Sequence, residues 1–113
     1  MVDILWTTEE TAKATDGTPF GDWQATGISI DSRNVKEGDI FVALKGPNFD
    51  AHDYAHLALS QGAVCCIVTH KPKNCRSDDP LLIVEDTHKA LEDLARFARK
   101  RTQAKIIAVT GSV

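Results

Sequence analysis

Short apolar runs alternate with one-sided apolar stripes along most of this chain. The segments "IFVAL", "AVCCIV" and "LLIV" are continuous apolar runs bounded by polar, glycine or proline residues. Runs of this length that lack polar alternation are typical of strands buried on both faces of a sheet. They therefore predict three buried strands, which begin at residues 40, 63 and 81.

Helix signals separate these runs. Thr7 and Glu10 match a capping box, which predicts a helix through Ala14 that ends near Gly17. A second helix is predicted over residues 51–61, ended by Gly62. A third is predicted to start at Asp86 or Thr87, because the apolar positions that follow form one stripe: Ala90, Leu91, Leu94, Phe97 and Ala98.

The other segments complete the predicted order. Residues 17–21 contain two glycines and a proline and predict a turn, whereas "WQATGISIDS" predicts extended chain. The run "KIIAV" at residues 105–109 predicts a closing strand. Strands that alternate with helices after residue 40 favour an α/β fold with a small mixed, largely parallel sheet flanked by helices.

Composition excludes several classes of function. The chain has 113 residues, 42% of them apolar and 26% charged, which suits one globular domain. A net charge of −3 offers no global attraction to nucleic acid. No apolar run approaches the roughly 20 residues that span a bilayer, and the acidic start does not match a secretory signal. We therefore expect no nucleic-acid partner, no membrane insertion and no export.

The cysteines and histidines favour structural roles. Cys65 and Cys66 are adjacent and would point to opposite faces of a strand, so idle thiols in a reducing compartment are expected. His52 and His56 have the spacing of two zinc ligands on a helix, but no third ligand accompanies them. No nucleophile–base pair can be assembled either. The expected sets of catalytic and metal-binding residues are empty.

Three segments in series carry a family resemblance: "ISIDSRNVKEGDIFVALKGPNFDAHDYA", "QGAVCCIV" and "LLIVEDTHKALEDLA". Together they resemble the N-terminal domain of the Mur ligases, bacterial ATP-dependent enzymes that extend the peptide of the cell-wall precursor. The resemblance implies a cytoplasmic parent enzyme that uses ATP and Mg²⁺, acts on a UDP-N-acetylmuramoyl-peptide and carries its other domains in cis. It favours a member that adds D-alanyl-D-alanine. The alternatives are a member that adds the third amino acid, meso-diaminopimelate or lysine, and a non-catalytic scaffold of the same fold.

The resemblance also divides the chain. Residues 1–105 match the substrate domain, which binds the UDP moiety, and residues 106–113 match the first strand and phosphate loop of the central ATP-binding domain. Thr110, Gly111 and Ser112 would belong to that loop, but the Gly-Lys-Thr/Ser that completes the family pattern is absent from this sequence. The isolated chain is therefore expected to bind no cofactor and to be inactive.

Two polar loops around "IFVAL" are the candidate UDP site. By resemblance, the contacts are Ile30, Ser32 and the segment Pro47, Asn48 and Phe49. Hydrogen-bond donors and cations that suit a diphosphate add Arg33, Lys45, Gly46 and His52.

Each of these residues has a structural alternative. Ser32 could serve the turn, Arg33 could pair with Asp31 or Asp39, and Lys45 could be a solvated strand-end charge. Phe49 could belong to the core, and His52 could order the loop rather than line the site.

Overall fold

Parallel strands in sequence order build most of the sheet. The computed structural model describes residues 6–47, 50–76 and 78–110, with residues 101–110 as backbone only. The strands are β1 (Trp6–Thr7), β2 (Thr18–Phe20), β3 (Gln24–Ala25), β4 (Gly27–Ser29), β5 (Asp39–Val42), β6 (Cys65–Val68) and β7 (Leu81–Ile83). The helices are α1 (Thr8–Thr15), α2 (Ala55–Gln61) and α3 (Thr87–Thr110), and 3-10 turns cover Ser32–Asn34 and Ala51–Tyr54.

The fold class predicted from the sequence is confirmed. The main sheet has the order β2-β7-β6-β5-β4, in which the four strands from β4 to β7 run parallel and β2 is antiparallel to β7. β1 and β3 form a separate two-stranded antiparallel ribbon. In the described part of the chain, no helix is long and apolar enough to cross a membrane.

Strand alternation divides the core into two layers. Ile40 and Val42 face a cluster that contains Leu94 of α3, whereas Phe41 faces a cluster that contains Ala55 and Ala58 at the start and middle of α2. All six side chains are fully buried. The sheet is thus covered on both faces, which explains why its strands are continuous apolar runs.

The adjacent thiols follow the same alternation. Cys65 lies in the α3-side cluster and Cys66 in the α2-side cluster, and both are free. Burial raises the pKa of the Cys65 thiol well above its ordinary value, and burial together with the nearby Cys75 and Asp79 does the same for the pKa of Cys66. A protonated, buried thiol is a poor nucleophile. The expectation of structural, unreactive thiols is therefore confirmed for these two residues.

The predicted starts of the first and third helices are also confirmed, whereas the second helix, predicted from residue 51, begins as a 3-10 turn over Ala51–Tyr54 and becomes α-helical at Ala55. The Glu10 N–H donates to Thr7 Oγ1 at 3.2 Å and the Thr7 N–H donates to Glu10 Oε1 at 3.4 Å, which completes the capping box. Asp86 Oδ1 accepts from the N–H groups of His88 and Lys89 at 2.9 and 3.3 Å and so caps α3.

One predicted turn contains a strand. Within residues 17–21, β2 pairs antiparallel with β7, with Pro19 opposite Leu82. Proline is tolerated there because β2 lies at the edge of the sheet. All three residues of β2 are exposed, so the sequence carries no apolar alternation that would have indicated a strand.

The predicted closing strand is wrong. Residues 105–109 are helical, because α3 continues without a break from Thr87 to Thr110. No glycine or proline occurs between those residues, and helical hydrogen bonds are local, whereas a strand needs a partner beside it. The apolar run "IIAV" was compatible with either structure.

Candidate functional site

Both predicted loops leave the same edge of the sheet. β4 and β5 are parallel neighbours, with Ser29 opposite Phe41, so their carboxyl ends lie side by side. The segment that follows β4 holds Ser32 and Arg33, and the segment that follows β5 holds residues 43–50. Ligands of α/β sheets commonly bind at the carboxyl ends of the strands, so a binding site is expected at this edge.

A groove of about 560 Å³ opens at this edge. Its lining residues are Ile30, Asp31, Ser32, Arg33, Phe41, Ala51, Tyr54 and Leu57. One wall carries the polar side chains of the first loop, and the other carries the apolar side chains of the Ala51–Tyr54 turn and α2. The volume is within the roughly 300–1,000 Å³ range of small-molecule sites.

Ser29 and Asp31 hold the first loop in its 3-10 turn. Asp31 Oδ1 accepts from the Arg33 N–H at 2.9 Å, and Asp31 Oδ2 accepts from Asn34 Nδ2 at 3.3 Å. Ser29 Oγ donates to the Asp31 carbonyl at 3.0 Å. Ser32 lies half-buried on the groove wall. The side-chain hydrogen bonds that stabilise this turn therefore come from Ser29 and Asp31, and not from Ser32, for which that role was the alternative.

Arg33 forms an ion pair with Asp31. Its Nη2 lies 3.2 Å from Asp31 Oδ2, and its Nε donates to Asp31 Oδ1 at 3.2 Å. The hydrogen bond from the Arg33 side chain lowers the pKa of Asp31, and the same bond raises the pKa of Arg33. The Arg33 side chain is 85% exposed, so its guanidinium has room to turn toward an anion in the groove. That rotation would break part of the ion pair with Asp31.

The second loop is closed at its base by backbone pairing. Lys45 and Asp50 form an antiparallel bridge, and the Ala51 N–H donates to the Leu44 carbonyl at 2.9 Å. The carbonyl oxygen of the exposed Lys45 accepts a hydrogen bond from His88 Nε2 at 3.3 Å.

The rest of the second loop lies apart from the groove or outside the described chain. Lys45, Gly46 and Pro47 are described, and they do not belong to the groove lining. Asn48 and Phe49 lie outside the described residues, so their predicted contacts stay predictions.

His52 is buried behind the second loop. Its Nδ1 lies 2.6 Å from Asp50 Oδ1, and its Nε2 accepts from the Thr69 N–H at 2.9 Å. Because Nε2 is an acceptor, the ring proton is on Nδ1 and is donated to Asp50. The ring also stacks on His70, with centroids 4.6 Å apart. With 5% of its side chain exposed, His52 orders the loop and ties it to the end of β6.

His52 and His56 do not share a continuous helical face. His52 lies in the Ala51–Tyr54 turn and His56 in α2, and His56 is exposed. Within the described chain, no group of three or more potential ligands could hold a metal ion. Both ring nitrogens of His52 are already engaged by protein groups, so this pair offers no ready metal site.

Asp50 gives the second loop a defined response to acid. Burial alone would raise the pKa of Asp50, but the His52 N–H, the His52 ring and the nearby Lys45 together hold it below its ordinary value. A carboxyl whose pKa is lower in the folded state stabilises the fold above its unfolded pKa of about 3.9 and loses that contribution as the pH falls through the folded pKa.

We therefore expect the Asp50→Asn variant to lose less stability than the wild type as the pH falls from 5 to 3. The measurement is the melting temperature across this range for the wild type, Asp50→Asn and the exposed neighbour control Asp53→Asn. The control should track the wild type. An Asp50→Asn curve parallel to the wild type would contradict the role of this carboxylate.

Five groove residues were not predicted: Asp31, Phe41, Ala51, Tyr54 and Leu57. Phe41 was predicted only as core, and it is both fully buried and part of the groove floor. Tyr54 and Leu57 were predicted only as residues of the second helix, over residues 51–61. Their three-residue spacing was the available signal, because residues at i and i+3 share a helical face.

The segment predicted to bind ATP does not fit that ligand in the described chain. A phosphate loop follows a strand, whereas Thr110 is the last residue of α3. Gly111 and Ser112 lie outside the described residues. No chemical step with ATP can be derived from these residues.

Comparison with known proteins gives one consistent family. The family described as "Mur ligase family, catalytic domain" matches residues 24–99. UDP-N-acetylmuramoyl-tripeptide–D-alanyl-D-alanine ligase of Escherichia coli is 42% identical over 85 residues, 75% of this chain and 18% of that enzyme. The enzyme with the same name from Buchnera aphidicola is 41% identical over 102 residues, 89% of this chain and 22% of that enzyme. UDP-N-acetylmuramoyl-L-alanyl-D-glutamate–2,6-diaminopimelate ligase of Rickettsia felis is 41% identical over 86 residues, 76% of this chain and 16% of that enzyme.

Solved structures agree with the sequence matches. A crystal structure of MurF from Acinetobacter baumannii aligns over 89% of this chain and 22% of its own, with a TM-score of 0.76 and 30% identity. The chain spans about a fifth of the length of the relatives it matches. Because the family match covers residues 24–99 and the solved fold aligns over 89% of the chain, the chain belongs to the Mur ligase family.

Proposed function

We propose that this chain forms the UDP-binding part of an ATP-dependent ligase that adds D-alanyl-D-alanine to UDP-N-acetylmuramoyl-tripeptide. The observation that carries the proposal is the groove at the carboxyl ends of β4 and β5, where Ser32 and Arg33 face an apolar wall. A diphosphate needs hydrogen-bond donors and a cation, and a pyrimidine ring needs a flat apolar contact. The names of the E. coli and B. aphidicola relatives support the identity of the parent reaction.

Within this proposal the predicted residues take different roles. Ile30, Ser32 and Arg33 contact the nucleotide directly from the groove wall. Contacts from Gly46, Pro47, Asn48 and Phe49 stay part of the proposal as the sequence predicts them.

His52 and Lys45 act at the base of the second loop. His52 holds the base through Asp50 and Thr69, and Lys45 pairs with Asp50 at the same base.

The remaining machinery is proposed to lie in other domains of the same ligase. Residues 1–105 are the substrate domain in this proposal, and residues 106–113 belong to the start of the central ATP-binding domain. ATP and Mg²⁺ would be bound by the remainder of that central domain, and the UDP-N-acetylmuramoyl-peptide would bridge the two domains. The buried free thiols fit work in the reducing bacterial cytoplasm.

We expect UDP to bind this groove and Ser32→Ala to weaken that binding. Loss of one hydrogen bond to a phosphate or ribose oxygen costs about 1–2 kcal/mol, or roughly five- to thirtyfold in Kd. Titration of ¹⁵N-labelled protein with UDP, followed by amide shifts, measures both the affinity and the location. Asn48→Ala should weaken binding in the same way.

The control is Thr18→Ala on the opposite edge strand β2, where the side chain is exposed. It should bind UDP as the wild type does. Unchanged affinity in both Ser32→Ala and Asn48→Ala, or shifts confined to α3, would move the site away from the groove.

A second candidate is the ligase that adds the third amino acid. The R. felis relative, which is named as a 2,6-diaminopimelate ligase, is as similar to this chain as the D-alanyl-D-alanine ligases are. Phosphate release by the complete ligase that carries this sequence separates the two. We expect turnover with UDP-N-acetylmuramoyl-tripeptide and D-alanyl-D-alanine, and turnover only with the dipeptide precursor and diaminopimelate would favour the second candidate.

A further inference from the structure

Exposed apolar side chains are concentrated in the groove. Four large apolar residues are exposed in the described part of the chain: Phe20, Ile30, Tyr54 and Leu57. Three of these four line the same groove, and Phe20 lies at the opposite edge of the sheet. A local cluster of exposed apolar side chains within a concave site is typical of a ligand contact.

The apolar wall stands on well-anchored backbone. Tyr54 ends the 3-10 turn that Asp50 caps through the His52 N–H, at 3.0 Å. Leu57 follows in α2, and both side chains line the groove. Tyr54 is 48% exposed and Leu57 43%, which leaves both side chains available to a ligand while their backbone is held by buried neighbours.

The two sides of the groove carry different kinds of side chain. Ser32 and Arg33 supply a hydroxyl and a cation on the first loop, whereas Tyr54 and Leu57 supply an aromatic face and an aliphatic edge on the other side. A nucleotide has the matching division, with a flat ring at one end and anionic oxygens at the other. Aromatic side chains bind bases through their faces, and this contact depends little on hydrogen bonds.

We propose that the Tyr54 ring is the surface on which the pyrimidine base stacks, with Leu57 and Ile30 at the edges of the base. The diphosphate then extends toward Ser32 and Arg33. The inference rests on the proposed UDP-binding function and deepens it, because it assigns the stacking face for the base to Tyr54, in the turn that precedes α2.

The test separates the base from the phosphates. The Kd values of UDP, uridine and inorganic pyrophosphate are measured for the wild type, Tyr54→Leu and Tyr54→Phe. Stacking of a base on an aromatic ring predicts that Tyr54→Leu weakens UDP and uridine by about five- to a hundredfold. Pyrophosphate binding should not change, and Tyr54→Phe should bind all three ligands as the wild type does.

A spectroscopic measurement on the wild type observes the ring of Tyr54 directly. Tyr54 is the only tyrosine of the chain, so selective labelling of tyrosine gives one ring to observe. We expect nuclear Overhauser contacts between this ring and the H5 and H6 protons of bound uracil, together with an upfield shift of those protons. The control variant Phe20→Ala removes an equally exposed aromatic side chain from the opposite sheet edge and should change none of these results.

The possible failures are distinguishable. If the wild type shows no amide shifts in the groove on addition of UDP, the proposed function itself fails. If UDP binds in the groove but Tyr54→Leu keeps the wild-type Kd and no ring contact is seen, only the stacking inference is overturned. An equal loss of pyrophosphate binding in Tyr54→Leu would also overturn it, because the ring would then act on the loops and not on the base.

Discussion

Replacement of Phe41 by alanine is expected to lower the free energy of unfolding by about 3–5 kcal/mol. Phe41 is fully buried on β5, in the cluster that contains Ala55 and Ala58 of α2. The neighbouring side chains are small, so they cannot close over the cavity that the ring would leave. A loss of this size is a large part of the total stability of a typical domain.

The measurement is chemical denaturation at neutral pH. Phe20→Ala is the matched control, because the same side chain is 52% exposed at a sheet edge, and it should cost less than about 1 kcal/mol. Equal costs for the two variants would contradict the assignment of Phe41 to the core.

Phe41 also connects stability with the site, because it forms part of the groove floor. Phe41→Leu keeps most of the buried volume and should lower the free energy of unfolding by about 1 kcal/mol. It also removes the aromatic ring that forms part of the groove floor. We therefore expect this variant to remain folded and to bind UDP more weakly than the wild type.

His52→Ala is expected to cost about 2–3 kcal/mol of stability and to weaken UDP binding. The substitution removes a buried ring, leaves the Thr69 N–H without its acceptor and frees the Asp50 carboxylate from its partner. The base of the second loop would then lose its connection to β6. Melting temperature and UDP affinity measure the two effects.

His56→Ala is the matched control, since His56 follows four residues later and is exposed. It should change the free energy of unfolding by no more than about 0.5 kcal/mol. If His52→Ala retained wild-type stability but lost UDP binding, His52 would contact the ligand itself, and its assignment as a residue that positions the loop would be wrong.

Features that depend on neighbouring residues in sequence were predictable. Thr7 and Glu10 cap each other across one helical turn, and Asp86 caps the N–H groups two and three residues ahead. Such bonds join residues within one helical turn, so their partners can be identified without knowledge of the rest of the fold. The buried strands β5, β6 and β7 were predictable for a related reason, because a side chain that must be buried on either face has to be apolar.

The candidate site was predictable only in part. Ser32 and Arg33 were identified from their loop, and they do lie on the groove. Asp31 was not identified as a groove residue, because its pairing with Arg33 gives it a structural role that sequence alone could not rank. Tyr54 and Leu57 were predicted only as residues of the second helix, because the sequence of a helix does not show whether a neighbouring element covers a given apolar residue.

The chain's local sequence determined the starts of α1 and α3, its buried strands and, through a run of characteristic loop residues, its family. Tertiary structure alone decided that Thr18–Phe20 joins the sheet as an edge strand, that residues 105–109 continue a helix, and that the turn at Ala51–Tyr54 faces the loop at Ser32–Asn34 across a groove. The difference has one physical reason. Capping bonds and strand burial are satisfied within a few residues or by composition, whereas strand pairing and groove formation require partners distant in sequence, whose positions only the folded chain establishes.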